Sequence, residues 1–266
     1  DMFLFKSGVF SEEQYFKELS AQFQKHFDNH GRFNYSVAES SFDTWLDGYV
    51  PGAPARKVSI YTEGCLLAFV ADVRIRIATD NKYGIDEVMK RLYFNYALEN
   101  KGVSEADYQS MIEAVSGISF QGFFENFVYG SHAFESIISE ALEEMGLELI
   151  HIPSKNYSEG RLGMKTTKKG NNFIISTLYP GGPAENGKLS VGDEIVSVNG
   201  YSCQGDLNKW LNYFDDDQKE VTVLRSGRML NLIFPEVNRN FYMKYSIGKM
   251  KDITGDQQRL FDNWKK

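Results

Sequence analysis

Tyr61, Glu63 and Gly64 stand in the spacing Tyr-x-x-Gly near the start of a stretch, Arg56 to Arg76, whose apolar residues go almost all the way round a helical cylinder. Ile60, Gly64, Leu67 and Ala71 share one helical spacing, and Leu66, Phe69, Val70 and Val73 another. The stretch therefore predicts a helix enclosed by other helices. A phenol, a carboxylate and a glycine in its first turns, with Asp72, Arg74 and Arg76 in its last, exceed what packing alone would select. Asp72 and Arg76 are spaced to pair at i, i+4. Taken alone, Tyr61 also fits a buried ring with a satisfied hydroxyl. His26 and His30 have the spacing of a helical zinc site, yet Phe27 occupies the place of a general base and no third ligand accompanies them. They predict two exposed imidazoles at a helix C-terminus, well placed against its dipole. His132 and His151 lie in no ligand-like cluster. Cys65, inside the apolar helix, and Cys203, in a distant turn, form neither a disulfide framework nor a metal spacing. Free thiols and no metal site are expected of this chain.

The elements that hold these residues are legible in order. Ser11-Glu12-Glu13-Gln14 fits a capping box, so a helix should run to about Asn29 and stop at Gly31. Ser40 and Ser41 lead a capped amphipathic helix with Trp45 as its anchor, and Pro51-Gly52-Ala53-Pro54 makes a loop before the central helix. Another helix begins at Gly84 or Asp86, with Val88, Met89, Leu92, Tyr93 and Tyr96 on its apolar face. Ser104 caps the next, which ends at Ser116-Gly117; Phe120 to Tyr129 and Glu135 to Met145 follow, the last stopped by Gly146. From Leu147 the pattern changes to strands: Leu147 to Pro153, Arg161 to Thr166, Asn172 to Leu178, Glu194 to Val198, Glu220 to Arg225 and Met229 to Phe234. The expected fold class is α+β, an all-α domain over residues 1–150, a β-sandwich or barrel domain over 151–236, and a tail over 237–266 with a short helix carrying Leu260, Phe261 and Trp264.

Three features of the β half stand in the order found in PDZ domains: Gly160-Arg161-Leu162-Gly163-Met164, then Pro180-Gly181-Gly182-Pro183-Ala184, then Gly192-Asp193-Glu194-Ile195 leading to Val198-Asn199-Gly200. The resemblance implies a peptide-binding groove. The turn at Arg161, Leu162 and Gly163 would present consecutive N–H groups to a terminal carboxylate, and the strand after it would accept a peptide by β-addition. Leu162 and Met164 would line the apolar pocket, opposite Leu207 and Leu211 of the helix after Asp206.

The helical half resembles one side of the catalytic domain of gluzincin metallopeptidases. Tyr61-x-x-Gly64, followed by an apolar helix to Asp72 and Arg76, looks most like the glycyl aminopeptidase family, whose members carry a C-terminal PDZ domain. Gly31-Arg32 through Trp45, then Ser116-Gly117, Phe123-Phe124 and Gly130, match that family's order of elements. The resemblance implies that Tyr61 donates a hydrogen bond to the oxyanion of the tetrahedral intermediate, which forms when a zinc-bound water attacks a peptide carbonyl. Departures from the family are as informative. The His-Glu-x-x-His helix, the third ligand Glu and the β-rich N-terminal domain are absent, and Glu63 stands where the family often has Lys. Zinc is thus expected in a full-length enzyme but no cofactor in this chain, which should be inactive alone. The partners implied are a peptide substrate or protein C-terminus at the PDZ groove and the missing N-terminal part of the same polypeptide. A second reading is a non-catalytic scaffold that binds peptide C-termini through its PDZ domain.

Composition narrows the field further. The chain has 266 residues, 42% of them hydrophobic and 14% aromatic, enough for two well-filled cores. Its net charge of −7, with Lys and Arg scattered, gives no footprint for a phosphate backbone, so no nucleic-acid partner is expected. The longest apolar run stops at Asp72, far short of a bilayer span of about 20 residues, so no membrane partner is expected and the chain should be soluble; its compartment, cytoplasmic or periplasmic, stays open. No basic-then-apolar leader precedes Asp1-Met2-Phe3-Leu4-Phe5, which reads like mid-protein sequence and is expected to continue a longer polypeptide.

Overall fold

The computed structural model describes residues 2–47, 53–215, 218–234 and 238–266; of the expected Pro51 to Pro54 loop, Pro51 and Gly52 lie outside the described residues. In chain order the elements are α1 (Met2–Lys6), α2 (Glu12–Asp28), a 3-10 turn (His30–Phe33), α3 (Val37–Asp47), α4 (Ile60–Ala78), α5 (Ile85–Asn95), a 3-10 turn (Ala97–Glu99), α6 (Glu105–Ser116), α7 (Gln121–Phe123) and α8 (Glu135–Glu144). Next come β1 (Leu147–Pro153), α9 (Tyr157–Gly160), β2 (Met164–Lys169), β3 (Asn172–Leu178), α10 (Pro183–Asn186), β4 (Glu194–Val198), β5 (Tyr201–Ser202), α11 (Leu207–Tyr213), β6 (Glu220–Arg225), β7 (Arg228–Ile233), β8 (Met243–Lys249) and α12 (Gly255–Trp264). They form two compact units, residues 1–150 with 245–266, and residues 151–244.

The first unit is built on α4. Leu66, Val70, Val73 and Ile75 have no exposed surface, and the buried residues of α2, α6, α8 and α12 complete one core around them. Local chemistry sets the helix starts. The Ser11 amide donates to Gln14 Oε1 at 2.8 Å and the Gln14 amide donates to Ser11 Oγ at 3.2 Å, a reciprocal cap worth about 1 kcal/mol. Ser104 and Asp107 do the same for α6, which ends on Gly117 in the left-handed region. α3 begins earlier than its serine pair suggests, because Ser36 and Glu39 cap it: the Ser36 amide donates to the Glu39 carboxylate at 2.9 Å, and the Glu39 amide donates back to Ser36 Oγ at 3.1 Å. The helix expected over Phe120 to Tyr129 is instead α7 running into a π-helical turn, Phe124–Val128, closed by the Tyr129 amide on Phe124 O at 2.9 Å.

The tail is not a separate piece. Leu260, Phe261 and Trp264 of α12 are buried in the α4 core, and β8, which the sequence did not suggest, pairs with β1 in a two-stranded sheet. Its pairing spans some ninety residues of chain, too far for any local pattern to show. Two α2 side chains satisfy β8 amides: Tyr245 N donates to Gln24 Oε1 at 3.1 Å and Ile247 N to Ser20 Oγ at 3.2 Å.

The second unit is an antiparallel sheet in the order β2-β3-β4-β6-β7, with β5 on β4. Leu162, Met164, Ile175, Ile195, Val198, Leu207, Leu211, Val221 and Val223 are among its buried core. Arg161 to Gly163 precede the strand expected to contain them, since the turn of α9 continues through Arg161 and β2 starts at Met164. Asp193 of the Gly-Asp-Glu-Ile motif is a brace: its buried carboxylate accepts two Arg225 donors at 2.6 Å each and the Ser190 amide at 2.8 Å.

Candidate functional site

Ser59 ends its extended segment as N-cap of α4, its hydroxyl accepting from the Thr62 amide at 3.4 Å. The next turn is anchored on its inner side. Thr62 Oγ1 donates to Gln22 Oε1 at 3.3 Å, and Glu63 Oε2 lies 2.7 Å from His26 Nδ1. Tyr61, between the cap and these anchors, is 68% exposed. The phenol that packing would bury therefore points outward from the positive end of a fixed helix. Cys65, one turn on, is exposed as well, so α4 is not enclosed on this side and the expected burial of Cys65 does not hold.

α3 shows the opposite of its expected packing. Its inner side is small and polar: Ser40 is buried and its hydroxyl accepts from the Val58 amide at 3.2 Å, while Asp43 accepts from Tyr35 Oη at 3.1 Å and Arg56 Nη2 at 3.0 Å. Its outer side carries Phe42, Trp45 and Leu46, at 81%, 87% and 80% exposure. Trp45 is not an anchor within this unit. Three large apolar side chains at i, i+3 and i+4, all solvated, make a face of the kind that partners cover.

The histidine reading is corrected at His26. The imidazole is not exposed at a fraying helix end; it is wholly buried, paired with Glu63, and stacked on Phe134 at 4.8 Å. The signal was present, because Leu19, Phe23, His26 and Phe27 fall at i, i+4, i+7 and i+8 on the buried stripe of α2. His30 lies beyond the helix, in the 3-10 turn.

Asp72 and Arg76 do pair, at 3.3 Å and both buried, but for another purpose. Asp72 Oδ1 accepts from the Ile85 amide at 2.8 Å and so caps α5. Gly84 is the N-cap residue there, and a Cβ on it would meet both Asp72 Oδ1 and Arg76 Nη2 at 2.5 Å. Asp72 is eleven residues from Tyr61, about 16 Å along the axis, which removes the pair from any chemistry at Tyr61. A cleft of about 640 Å³ is lined by Ile77, Asp80, Glu140, Glu143, Glu144, Arg259 and their neighbours, farther still toward that end of α4.

In the second unit the structure brings Leu162, Met164, Leu207 and Leu211 into one apolar cluster, all four buried. Leu207 and Leu211 thus offer no open wall to a peptide. The loop also departs from expectation: Gly160 N donates to Asn156 O at 2.8 Å, and Arg161 N and Leu162 N donate to Tyr157 O at 2.9 and 3.2 Å. These amides close a helical turn instead of forming an anion nest. Gly163, at φ +67°, carries the chain round a corner against Tyr179 and Phe241, where a side chain would clash. The Arg161 guanidinium reaches Asn238 Oδ1 at 3.4 Å, and the Phe241 amide donates to Gly160 O at 2.9 Å, so residues of the tail line the same loop.

Tyr157, at the base of that loop, has its phenol pushed up from 10.0 to about 12, by burial first and then by its hydrogen bond to Asp215. Because the folded value lies above the unfolded one, Tyr157 contributes stability that is fully present below about pH 10 and lost as the pH rises toward 12. Phenolate absorbance, read as wild type minus Tyr157→Phe, should accordingly show a step near pH 12; a step near 10 would mean that the phenol is not held this way.

Residues 1–67 match the family model of the M61 glycyl aminopeptidases, and residues 174–225 match that of the PDZ domain. The crystal structure of an aminopeptidase N family protein from Idiomarina loihiensis overlays all of this chain with a TM-score of 0.85 at 20% identity; the chain spans 46% of that protein's length. At that identity the likeness is one of fold. An HtrA-type protease with a decapeptide (18% identity, 36% of this chain and 31% of that one, TM-score 0.25) overlaps too slightly to bear on it. The photosystem II D1 C-terminal processing protease (20% identity, 58% and 43%, TM-score 0.24) does no better. No curated protein matches by sequence. The two family matches, neither spanning half of the chain, support a peptidase-like first part and a PDZ domain behind it. The family they support is that of the M61 glycyl aminopeptidases with PDZ.

Proposed function

We propose that the first unit forms one wall of the active site of a zinc-dependent aminopeptidase acting on short peptides, and that the metal comes with sequence outside this chain. Among the described residues no three His, Cys, Asp or Glu side chains group to hold a metal, and His26 is committed to Glu63. The residues present do not fit a zinc ion. What they fit is a hydrogen-bond donor: Tyr61 Oη, exposed on a rigid helix start, donating to negative charge that develops on a scissile carbonyl oxygen. That exposure is the observation that carries the proposal. The solvated face of Phe42, Trp45 and Leu46 supports it as a surface for the lobe that bears the metal.

The second unit supplies peptide binding in this reading, as its domain type suggests. A non-catalytic scaffold that grips peptide C-termini is the alternative; the amides of Gly160, Arg161 and Leu162, spent on internal carbonyls, weigh against carboxylate capture by them in either reading, and the M61 match over residues 1–67 favours the peptidase. The two readings part on a simple comparison. A polypeptide extended upstream of Asp1 through a His-Glu-x-x-His helix should hydrolyse a fluorogenic aminoacyl substrate, lose activity to a chelator and regain it with zinc, while residues 1–266 alone should be inactive. Zinc-dependent turnover by residues 1–266, or an inert extended polypeptide, would end the proposal.

A further inference from the structure

We infer that His26 and Glu63 are positioning residues for Tyr61, acting as one unit; the inference rests on the reading of Tyr61 as a transition-state donor. Glu63 follows Tyr61 by two residues, which on a helix is about 200° of rotation. The carboxylate therefore grips the inner side of the same turn from which the phenol projects. The grip is tight on both sides: the two side chains are 0% and 2% exposed, with Nδ1 to Oε2 at 2.7 Å.

The imidazole has little freedom to answer a shift of Glu63. Its plane lies within 20° of the Phe134 ring at 4.8 Å, and the Phe27 ring meets it edge-on at 4.9 Å. Phe134 precedes Glu135, which takes two hydrogen bonds from Arg32 at 2.7 and 3.0 Å. Arg32 in turn lies over Phe27 and Phe33. One continuous set of contacts thus runs from α8 through the end of α2 to the first turn of α4.

Stability alone does not call for such a pair. Buried ions of this kind are commonly matched or bettered by apolar residues of the same shape, whereas removing one partner is costly. Nε2 of His26 is buried with no hydrogen-bond partner among the described residues, so the ring is held at one nitrogen only. This short contact, with the Ser59 cap and the Thr62 Oγ1 bond to Gln22, holds the rotation of the α4 start from which Tyr61 projects.

The test is the ring resonance of Tyr61 in residues 1–266 labelled with ¹³C-tyrosine, for wild type, Glu63→Gln, His26→Gln and the double variant. Both single variants should move the Tyr61 signal by more than its linewidth while signals of distant tyrosines stay put, and the double variant should move it no further than either single. In the extended polypeptide the same variants should lower kcat about tenfold with KM within twofold, again without adding together. If Glu63→Gln fails to fold, Glu63→Asp, one methylene shorter with its charge kept, should give the same signal shift in smaller measure. A Tyr61 signal that stays in place in folded variants overturns the inference. Should the signal move while Tyr61→Phe leaves kcat untouched, the positioning stands and the catalytic reading of Tyr61 falls.

Discussion

Tyr61→Phe in the extended enzyme should lower kcat by about 10²-fold or more with KM nearly unchanged, a loss of roughly 3 kcal/mol of transition-state stabilisation. The substitution removes one oxygen and keeps the ring. The side chain is 68% exposed, so the loss of its oxygen should change thermal stability by no more than about 0.5 kcal/mol, as at other surface positions. A donor that matters only when charge develops is felt in kcat, whereas one that holds the substrate equally throughout is felt in KM. A raised KM at constant kcat would make Tyr61 a substrate contact, and no change in either would leave it without a part in the reaction. The same substitution in residues 1–266 provides the stability control.

Much of the fold was legible because its signals are local. Ser11 with Gln14, Ser104 with Asp107 and the glycine after Ser116 mark helix ends through neighbours three or four residues away, and each recurs in the structure as a cap. The strands at residues 172–178, 194–198 and 220–225 likewise stand where their alternation put them. What was hidden depends on distant partners. β8 exists because β1 is there to pair with it, and α12 joins the first unit because its apolar stripe finds α4.

The site was legible in part, and for an analogous reason. The type and spacing of Tyr61 were visible, but its exposure follows from Glu63 turning inward to a histidine thirty-seven residues earlier. An i, i+4 count sets His26 beside His30, as an i, i+3 count sets it beside Phe23. Only the count over the whole helix, with Leu19 included, assigns it to the core. In the second unit the glycine-bearing loop was read as an anion nest from its residue types, while the α9 turn that consumes its amides has no mark in Arg161, Leu162 or Gly163 themselves.

Trp264→Ala should destabilise the first unit by about 3–5 kcal/mol, whereas Trp45→Ala should change the stability of residues 1–266 by no more than about 0.5 kcal/mol. The two residues are alike in kind and both lie near helix ends; packing alone separates them. Trp264 is 1% exposed and its ring meets Tyr15 at 5.5 Å, Phe5 at 5.8 Å, Phe69 at 5.9 Å and Phe261 at 6.0 Å. Truncating it opens a cavity where α1, α2, α4 and α12 converge. Against a typical total of 5–15 kcal/mol, that loss would take a large share of the unit's stability, seen in denaturant as a lower midpoint with an unchanged slope. Trp45, at 87% exposure, has almost nothing to lose in this chain. Its cost should appear only in the extended polypeptide, where the lobe proposed to cover Phe42, Trp45 and Leu46 would lose an anchor and the combined protein would unfold at lower denaturant. Equal effects of the two substitutions in residues 1–266 would show that the outer face of α3 is covered within this chain, and would take from the proposed function its second support.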